Sequence, residues 1–277
     1  MIKTARQLKD LVRNRSKGNS AQAQIIIRNY IMERFLERVS LSKYRSNLIF
    51  KGGLLVSSIV GLDNRSTMDI DTTLKNINLS ECDVERIVSE IIAIPVDDGV
   101  TFTIKKISNI MDEAEYPGVR VSLDAAFENM HTPVKLNFST GDVVTPHEIE
   151  YSYQLMFEKR SIPIMAYNVE TMLAEKLETI ITRGTANTRL RDFYDLRILN
   201  DTVDIHYDDL KAAFKATCQR RSSESVVGRS DEILEQIKAD KNMQELWENY
   251  RRKYEYARDY LWLDVMSTVF ELVDKTK

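Results

Sequence analysis

Two aspartates at alternate positions, in Met68-Asp-Ile-Asp-Thr-Thr73, are the first residues whose type and spacing could do chemistry. The segment alternates apolar and acidic residues, which predicts a strand with both carboxylates on one face, about 7 Å apart along the chain. Carboxylates so placed hold Mg²⁺ against substrate phosphates, because hard cations prefer oxygen ligands. A solvated strand face is the plain alternative. Upstream, the turn Gly52-Gly53 opens a predicted helix, and backbone N–H groups at such a turn can hold a phosphate. The hydroxyls of Ser66 and Thr67 could add donors nearby in sequence.

A second group lies in Ala174-Glu-Lys-Leu177 and Arg189-Leu-Arg-Asp-Phe-Tyr-Asp-Leu196. Lys176 falls on an amphipathic helix whose apolar side is Met172, Leu173, Leu177 and Ile180. Asp192 and Asp195, at i and i+3, share a helix face. Lys176, Arg183, Arg189, Arg191 and Arg197 outnumber Glu178, Asp192 and Asp195 across the segment. Two readings stand: helix surfaces laced by salt bridges, or a phosphate-binding helical wall facing the metal strand.

These residues need elements to position them. Ala21 to Val39 predicts a helix with Ser20 as its cap, and Leu48-Ile-Phe50 a short buried strand. Leu54 to Val60 predicts a helix closed by Gly61, and Ser80 caps another through about Ile92. Val100 to Ile107, Gly118 to Phe127 and Thr132 to Phe138 are β-rich, with turn signals between them. From about Ile162 the pattern turns helical: Asn168 caps a helix to about Arg183, and Thr188–Leu199, Tyr207–Thr217, Ser230–Lys238 and Met243–Lys275 continue it. The expectation is an α/β domain over residues 1–165 and a helical C-terminal domain over 166–277.

Composition agrees. The chain has 277 residues, 9 Gly, 5 Pro and a formal charge of −3, which suits a folded globular protein rather than a bulk polycation. Cys82 and Cys218, the only cysteines, fit no zinc or redox spacing. The N-terminal residues carry no apolar core of a signal peptide, and the longest apolar runs fall far short of the roughly 20 residues a bilayer needs. A soluble, cytoplasmic protein without membrane contact is expected.

Taken together, the motifs resemble the AbiEii/AbiGii-type toxins of the nucleotidyltransferase superfamily, which include the mycobacterial MenT toxins. The matching pieces are Phe50-Lys-Gly-Gly53, Arg65-x-Thr-x-Asp-Ile-Asp71, Lys135-Leu-Asn-Phe-Ser-Thr-Gly-Asp142, Ala174-Glu-Lys-Leu177 and Arg189-x-Arg-Asp-Phe-Tyr-Asp195, in the family's order over roughly residues 45–200. The resemblance implies a polymerase-β-like core with a mixed sheet, followed by a helical domain. It implies a nucleotidyltransferase of the EC 2.7.7 type, acting in bacterial abortive infection, antiviral defence or toxin–antitoxin pairs. Its substrates would be an NTP with Mg²⁺ or Mn²⁺ and an RNA acceptor, a tRNA 3′ end. A cognate antitoxin encoded nearby would act without a stable complex. By position, Asp69 and Asp71 would bind metal, and Gly52, Gly53 and Thr67 would contact the triphosphate, with Ser66 beside them. Lys176 would neutralise phosphate charge, and Asp192 would be the acidic residue near the site. Lys51, Arg65, Asn137, Arg189 and Arg191 are supporting candidates for nucleotide binding. Replacing Asp69 by Asn, or Lys176 by Ala, is expected to abolish toxicity with the fold intact.

One position departs from the pattern. Where the wider superfamily carries a third carboxylate, this chain has Asn137. An amide accepts no proton from a hydroxyl and ligates Mg²⁺ more weakly. Asp124, Asp142 and Asp192 are the candidates to replace it. Two other functions therefore stay open: a small-molecule nucleotidyltransferase of the antibiotic-modifying kind, and a non-catalytic NTP-binding module. P-loop, GxGxxG, HExxH and GxSxG motifs are absent. Lys211, Lys215, Arg220 and Arg221 form a basic stripe, read as a solvated helix face or as an acceptor-stem contact. Trp247, Tyr250, Tyr254, Tyr256, Tyr260 and Trp262 read as packing between terminal helices, with base stacking the alternative.

Overall fold

The structure is a computed structural model that describes residues 2–110 and 118–277. It divides into one unit of Met1–Leu62, Ser66–Gly141 and Ile149–Ala166, and a second of Asp63–Arg65, Asp142–Glu148 and Tyr167–Lys277. No helix among the described residues is long and apolar enough to cross a membrane.

In the first unit, α1 (Ala5–Ser16) and α2 (Ser20–Leu41) precede β1 (Leu48–Lys51), α3 (Gly52–Val60), β2 (Asp69–Leu74) and α4 (Glu81–Ile92). Then come β3 (Val100–Ile110), β4 (Gly118–Phe127), β5 (Met130–Thr140), β6 (Ile149–Gln154) and β7 (Ser161–Ala166). The turn expected between β3 and β4 lies outside the described residues. The seven strands form one mixed sheet in the order β3-β4-β5-β2-β1-β7-β6. β2 runs parallel to β5 and β1 parallel to β7, while the other neighbours are antiparallel. Strict alternation on β4 buries Val119, Val121, Leu123, Ala125 and Phe127 on one side. This leaves Arg120, Ser122 and Asp124 on the other side of the strand.

Local chemistry explains most boundaries. Ser80 accepts the Asp83 N–H at 3.0 Å, and Glu81 and Asp83 sit in the first turn of α4, where the helix dipole favours them. For α2 the cap is Asn19, not Ser20: its Oδ1 accepts the Gln22 N–H at 3.1 Å and leaves Ser20 as the first helical residue. Neither β7 nor β6 was expected: Ile162, where the helical pattern is expected to begin, lies inside β7, which pairs with β1. For β6 the signal is weaker still. Its burial is confined mostly to Tyr153, so the hydrophobic signal is faint, and pairing with β7 defines it.

The middle of α2 departs from a simple amphipathic helix. Residues 29–39 are all buried, charged ones included. Arg38 donates to both oxygens of Asp98, at 2.7 and 3.0 Å, and to the Val100 carbonyl at 2.7 Å. Arg34 donates to Glu37 at 2.9 Å and to Glu158 at 3.2 Å. Glu33 takes N–H bonds from Asn29 and Met156, yet burial outweighs Arg34 beside it and pushes its carboxyl up to about 8. Between the ordinary value near 4.5 and about 8, the folded chain keeps a proton that the unfolded chain has lost, so stability falls as pH rises. We expect the melting temperature to drop from pH 5 to pH 8, and Glu33→Gln to flatten that slope in thermal melts at several pH values.

The second unit is helical: α5 (Val169–Arg183), α6 (Leu190–Thr202), α7 (Tyr207–Arg221), α8 (Glu224–Val227), α9 (Ser230–Ala239), α10 (Lys241–Lys253) and α11 (Trp262–Thr276). Asn168 caps α5 through the Thr171 N–H at 2.8 Å, and its amide donates to the carbonyls of Thr145 and His147. α6 starts at Leu190 rather than Thr188, because Arg189 still has non-helical backbone angles. The expected run from Met243 to Lys275 breaks between Lys253 and Trp262. There the chain turns Tyr256 and Tyr260 onto Tyr194, with ring centroids 4.8 and 5.7 Å away. The indole N–H groups of Trp247 and Trp262 donate to the carbonyls of Tyr260 and Lys238. Most of the aromatic row is thus packing. The basic stripe also shrinks: Arg221 turns inward to Glu178, at 2.6 Å, and to Thr179.

Candidate active site

The alternation on β2 puts Asp69 and Asp71 on one face, and the sheet register extends each into a row. Lys51 on β1 pairs with Asp71, Asp71 with Asn137 on β5, and Asn137 with Arg120 on β4. Asp69 lies opposite Lys135. Directly opposite residues share a face, so four strands present one polar row. Within it, Arg120 Nε donates to Asn137 Oδ1 at 2.8 Å, and Asn137 Nδ2 donates to Asp71 Oδ1 at 2.9 Å. The guanidinium has only donors, so it claims the amide oxygen and turns the NH₂ toward the carboxylate. Residue 137 here is a spacer between a cation and Asp71, with its oxygen committed.

Asp71 is confined from the other side by Gly52. A Cβ at position 52 would stand 2.5 Å from Asp71 Oδ2, and Gly52 has φ +66°. Only glycine meets both conditions without strain. We expect Gly52→Ala to lower stability by about 1–3 kcal/mol, as forced left-handed backbone and overpacking do. It should also displace Asp71, which weaker Mn²⁺ binding would report. Gly52 opens α3, and no side chain caps that helix start, unlike those of α1, α2 and α4 in the same unit, though α6 to α9 are also uncapped. Its first-turn N–H groups suit an anion.

The donor set fits a divalent cation. Mg²⁺ is commonly held by one or two carboxylates, with substrate phosphates and water completing the shell, and Asp69 and Asp71 supply that pair. Among the described residues no group of three or more His, Cys, Asp or Glu side chains converges as a metal site. Of the candidates for the missing third carboxylate, Asp124 pairs with His131 at 2.8 Å, and Asp142 belongs to the second unit.

The second unit gathers another set of the expected residues. Asp195, fully buried on α6, accepts from Arg65 Nε at 2.6 Å, Arg65 Nη2 at 3.1 Å and Lys176 Nζ at 2.8 Å. Lys176 also donates to Asp192 at 2.6 Å. Burial opposes the charge of Asp195, but Arg65 and Lys176 outweigh it and hold the carboxyl down at about 2. Burial likewise opposes the Lys176 charge, and Asp192 and Asp195 override it, raising that pKa above the ordinary lysine value. The Tyr194 hydroxyl donates to the Asn64 carbonyl at 2.6 Å, so Asn64 and Arg65 are both tied to α6.

Three of the expected site residues have partners within the protein. Arg65, expected as a nucleotide contact, is 1% exposed and commits its fork to Asp195, because a buried guanidinium needs a carboxylate. Thr67, expected at the triphosphate, is buried and donates to the Asp69 carbonyl at 3.2 Å, closing the turn into β2. Lys176 carries two carboxylates of its own. Removing it would uncover the charges of Asp192 and Asp195, so Lys176→Ala is expected to lower stability as well as activity. Arg189 and Arg191 remain exposed, while Lys51, Gly53, Ser66, Asp69 and Asp192 are half-buried. Arg120 went unnoticed in the sequence: it is one polar residue in an alternating strand, and only register assigns it to Asn137. Asp195 was legible only as the i+3 neighbour of Asp192.

The crystal structure of JHP933 from Helicobacter pylori aligns with 91% of this chain and 93% of its own, at 17% identity and a TM-score of 0.50, a likeness of fold alone. A second Helicobacter pylori structure, provisionally described as a nucleotidyltransferase, covers 91% of this chain and 96% of its own at 18% identity. Its TM-score of 0.46 is too low to bear on the fold. No curated protein matches the chain significantly. The family described as nucleotidyl transferase AbiEii toxin, type IV TA system, matches residues 34–269, most of the chain. The mixed α/β sheet is compatible with a nucleotidyltransferase fold, and the chain belongs to the AbiEii nucleotidyl transferase toxin family of type IV toxin–antitoxin systems.

Proposed function

We propose that this chain transfers a nucleotidyl group from an NTP to the 3′-hydroxyl of an RNA, a tRNA 3′ end, in the cytoplasm. The observation that carries the reading is the row Lys51–Asp71–Asn137–Arg120 with Gly52 seated against Asp71. An uncapped helix start, a carboxylate pair and flanking cations there meet the needs of a triphosphate. Asp69 and Asp71 would hold Mg²⁺ or Mn²⁺, which would supply neutralisation of the charge developing on the α-phosphate and the leaving pyrophosphate.

The chain's own residues do the rest. The first-turn N–H groups of α3 and the ammonium of Lys51 orient the phosphates. Arg120, acting through Asn137, fixes the rotamer of Asp71, so the carboxylate keeps its orientation before substrate arrives. In the second unit, Lys176, Asp192, Asp195 and Arg65 form a brace that ties Asn64 and Arg65 to α6. Arg189 and Arg191 are exposed cations of that same unit. The acceptor oxygen forms the new bond to the α-phosphorus, the bond to the bridging oxygen breaks, and pyrophosphate leaves. The acceptor proton passes to water, since Asn137 cannot take it. A cognate antitoxin completes the pair without a stable complex.

The test is label transfer. Purified protein, Mg²⁺ and each α-labelled NTP in turn are incubated with total bacterial RNA. A labelled tRNA-sized band is expected. A folded protein that binds nucleotide and labels no RNA would overturn the reading in favour of another acceptor or a binding module.

A further inference from the structure

We propose that α1, which lies ahead of the stretch matched by the AbiEii family, forms with the β4–β5 hairpin a docking groove for the sugar–phosphate backbone of RNA. The groove, of about 440 Å³, is lined by Arg6, Lys9, Asp10 and Arg13 of the helix, and by Glu128 and Asn129 at the hairpin. Arg6, Lys9 and Arg13 stand at i, i+3 and i+7, one face of the helix, and span about 10 Å along its axis. Leu8 and Val12 bury the opposite side and anchor it.

Two carboxylates, Asp10 and Glu128, line the same groove as the three cations and leave it a net charge of +1. Glu128 accepts the Ala5 N–H at 3.1 Å, and among the described residues no ion pair within 4 Å joins Asp10 or Glu128 to Arg6, Lys9 or Arg13. A groove with three exposed cations against two carboxylates keeps a net positive charge, which suits a polyanion whose binding is driven by counterion release. The choice of RNA rests on the acceptor proposed above. Met130 at the hairpin and Asn137 in the active-site row are seven residues apart on β5, about 23 Å by strand rise. A backbone in the groove therefore belongs to an acceptor much longer than its reacting end, and the groove favours long RNAs over short ones.

The experiment compares the full chain with the triple variant Arg6→Gln, Lys9→Gln, Arg13→Gln by filter retention of labelled tRNA over a salt series. Thermal melts verify that both are folded. Near physiological salt the variant should bind on the order of tenfold to a hundredfold more weakly, with the slope of log K against log salt smaller by about 0.7 per lost contact. Transfer to a dinucleotide acceptor, too short to reach the groove, should be unchanged. Unaltered tRNA affinity and slope would overturn the proposal, as would an equal loss with the dinucleotide. Retention of poly-glutamate but not RNA by the unmodified chain would assign the groove to an acidic protein and also overturn it. Weaker tRNA binding by the variant, with no transfer by either protein, would leave the groove standing and sink only the enzymatic reading.

Discussion

Asp69→Asn should cut nucleotidyl transfer by on the order of 10³-fold or more, while the protein melts within a degree or two of the unmodified chain. The side chains match in size and the strand is unchanged, so packing is preserved. What is lost is one of two formal negative charges on the β2 face, and a divalent cation on hard oxygen ligands depends on both. Losing several kcal/mol of charge stabilisation in the transition state corresponds to that factor, at about 1.4 kcal/mol per tenfold. Label transfer gives the rate, Mn²⁺ titration by electron paramagnetic resonance gives the cation affinity, and both should fall together. A folded Asp69→Asn protein with undiminished transfer would remove Asp69 and its neighbour from the chemistry.

The second large effect concerns stability. Asp195→Ala should destabilise the protein by about 3–5 kcal/mol, because Arg65 and Lys176 would keep their charges in a buried site without the carboxylate they share. For a unit of this size, that lowers the melting temperature by about 10 °C or more. The pH dependence follows from the same contacts. Asp195 is held at about 2 in the fold against an ordinary value near 3.8. Its stabilising contribution is complete above the ordinary value and is lost as pH falls from about 4 to about 2. Acid titration of unfolding should therefore be steeper for the unmodified chain than for Asp195→Asn in that window. Equal slopes would show that Arg65 and Lys176 do not depend on Asp195.

The legible parts of this protein share a property: their signals are local. The strand Asp69–Leu74 announces itself by alternation, and the Ser80 and Asn168 caps by side-chain chemistry within three residues. The start of α3 follows from two glycines. The illegible parts are pairings across distance. Arg38 with Asp98, Arg34 with Glu158 and Arg120 with Asn137 join positions from different elements, and nothing in the intervening sequence marks them. α2 shows the cost of ignoring this. Its apolar spacing is that of a one-sided helix, yet its charged residues are buried too, because partners arrive from other elements.

By itself, the sequence determined the family motifs, the β2 carboxylate pair, the glycine pair that opens α3 and the change from a mixed α/β to a helical pattern. Each is written in neighbouring residues, and backbone geometry converts that spacing into facing side chains. Only the tertiary structure decided what those side chains do with their charges. Sheet register made Asn137 a bridge from Arg120 to Asp71 rather than a ligand. Burial made Arg65 a partner of Asp195 rather than of phosphate. The physical reason is common to both: a desolvated charge must be paired, and the partner is chosen by which strand or helix lies beside it in the fold.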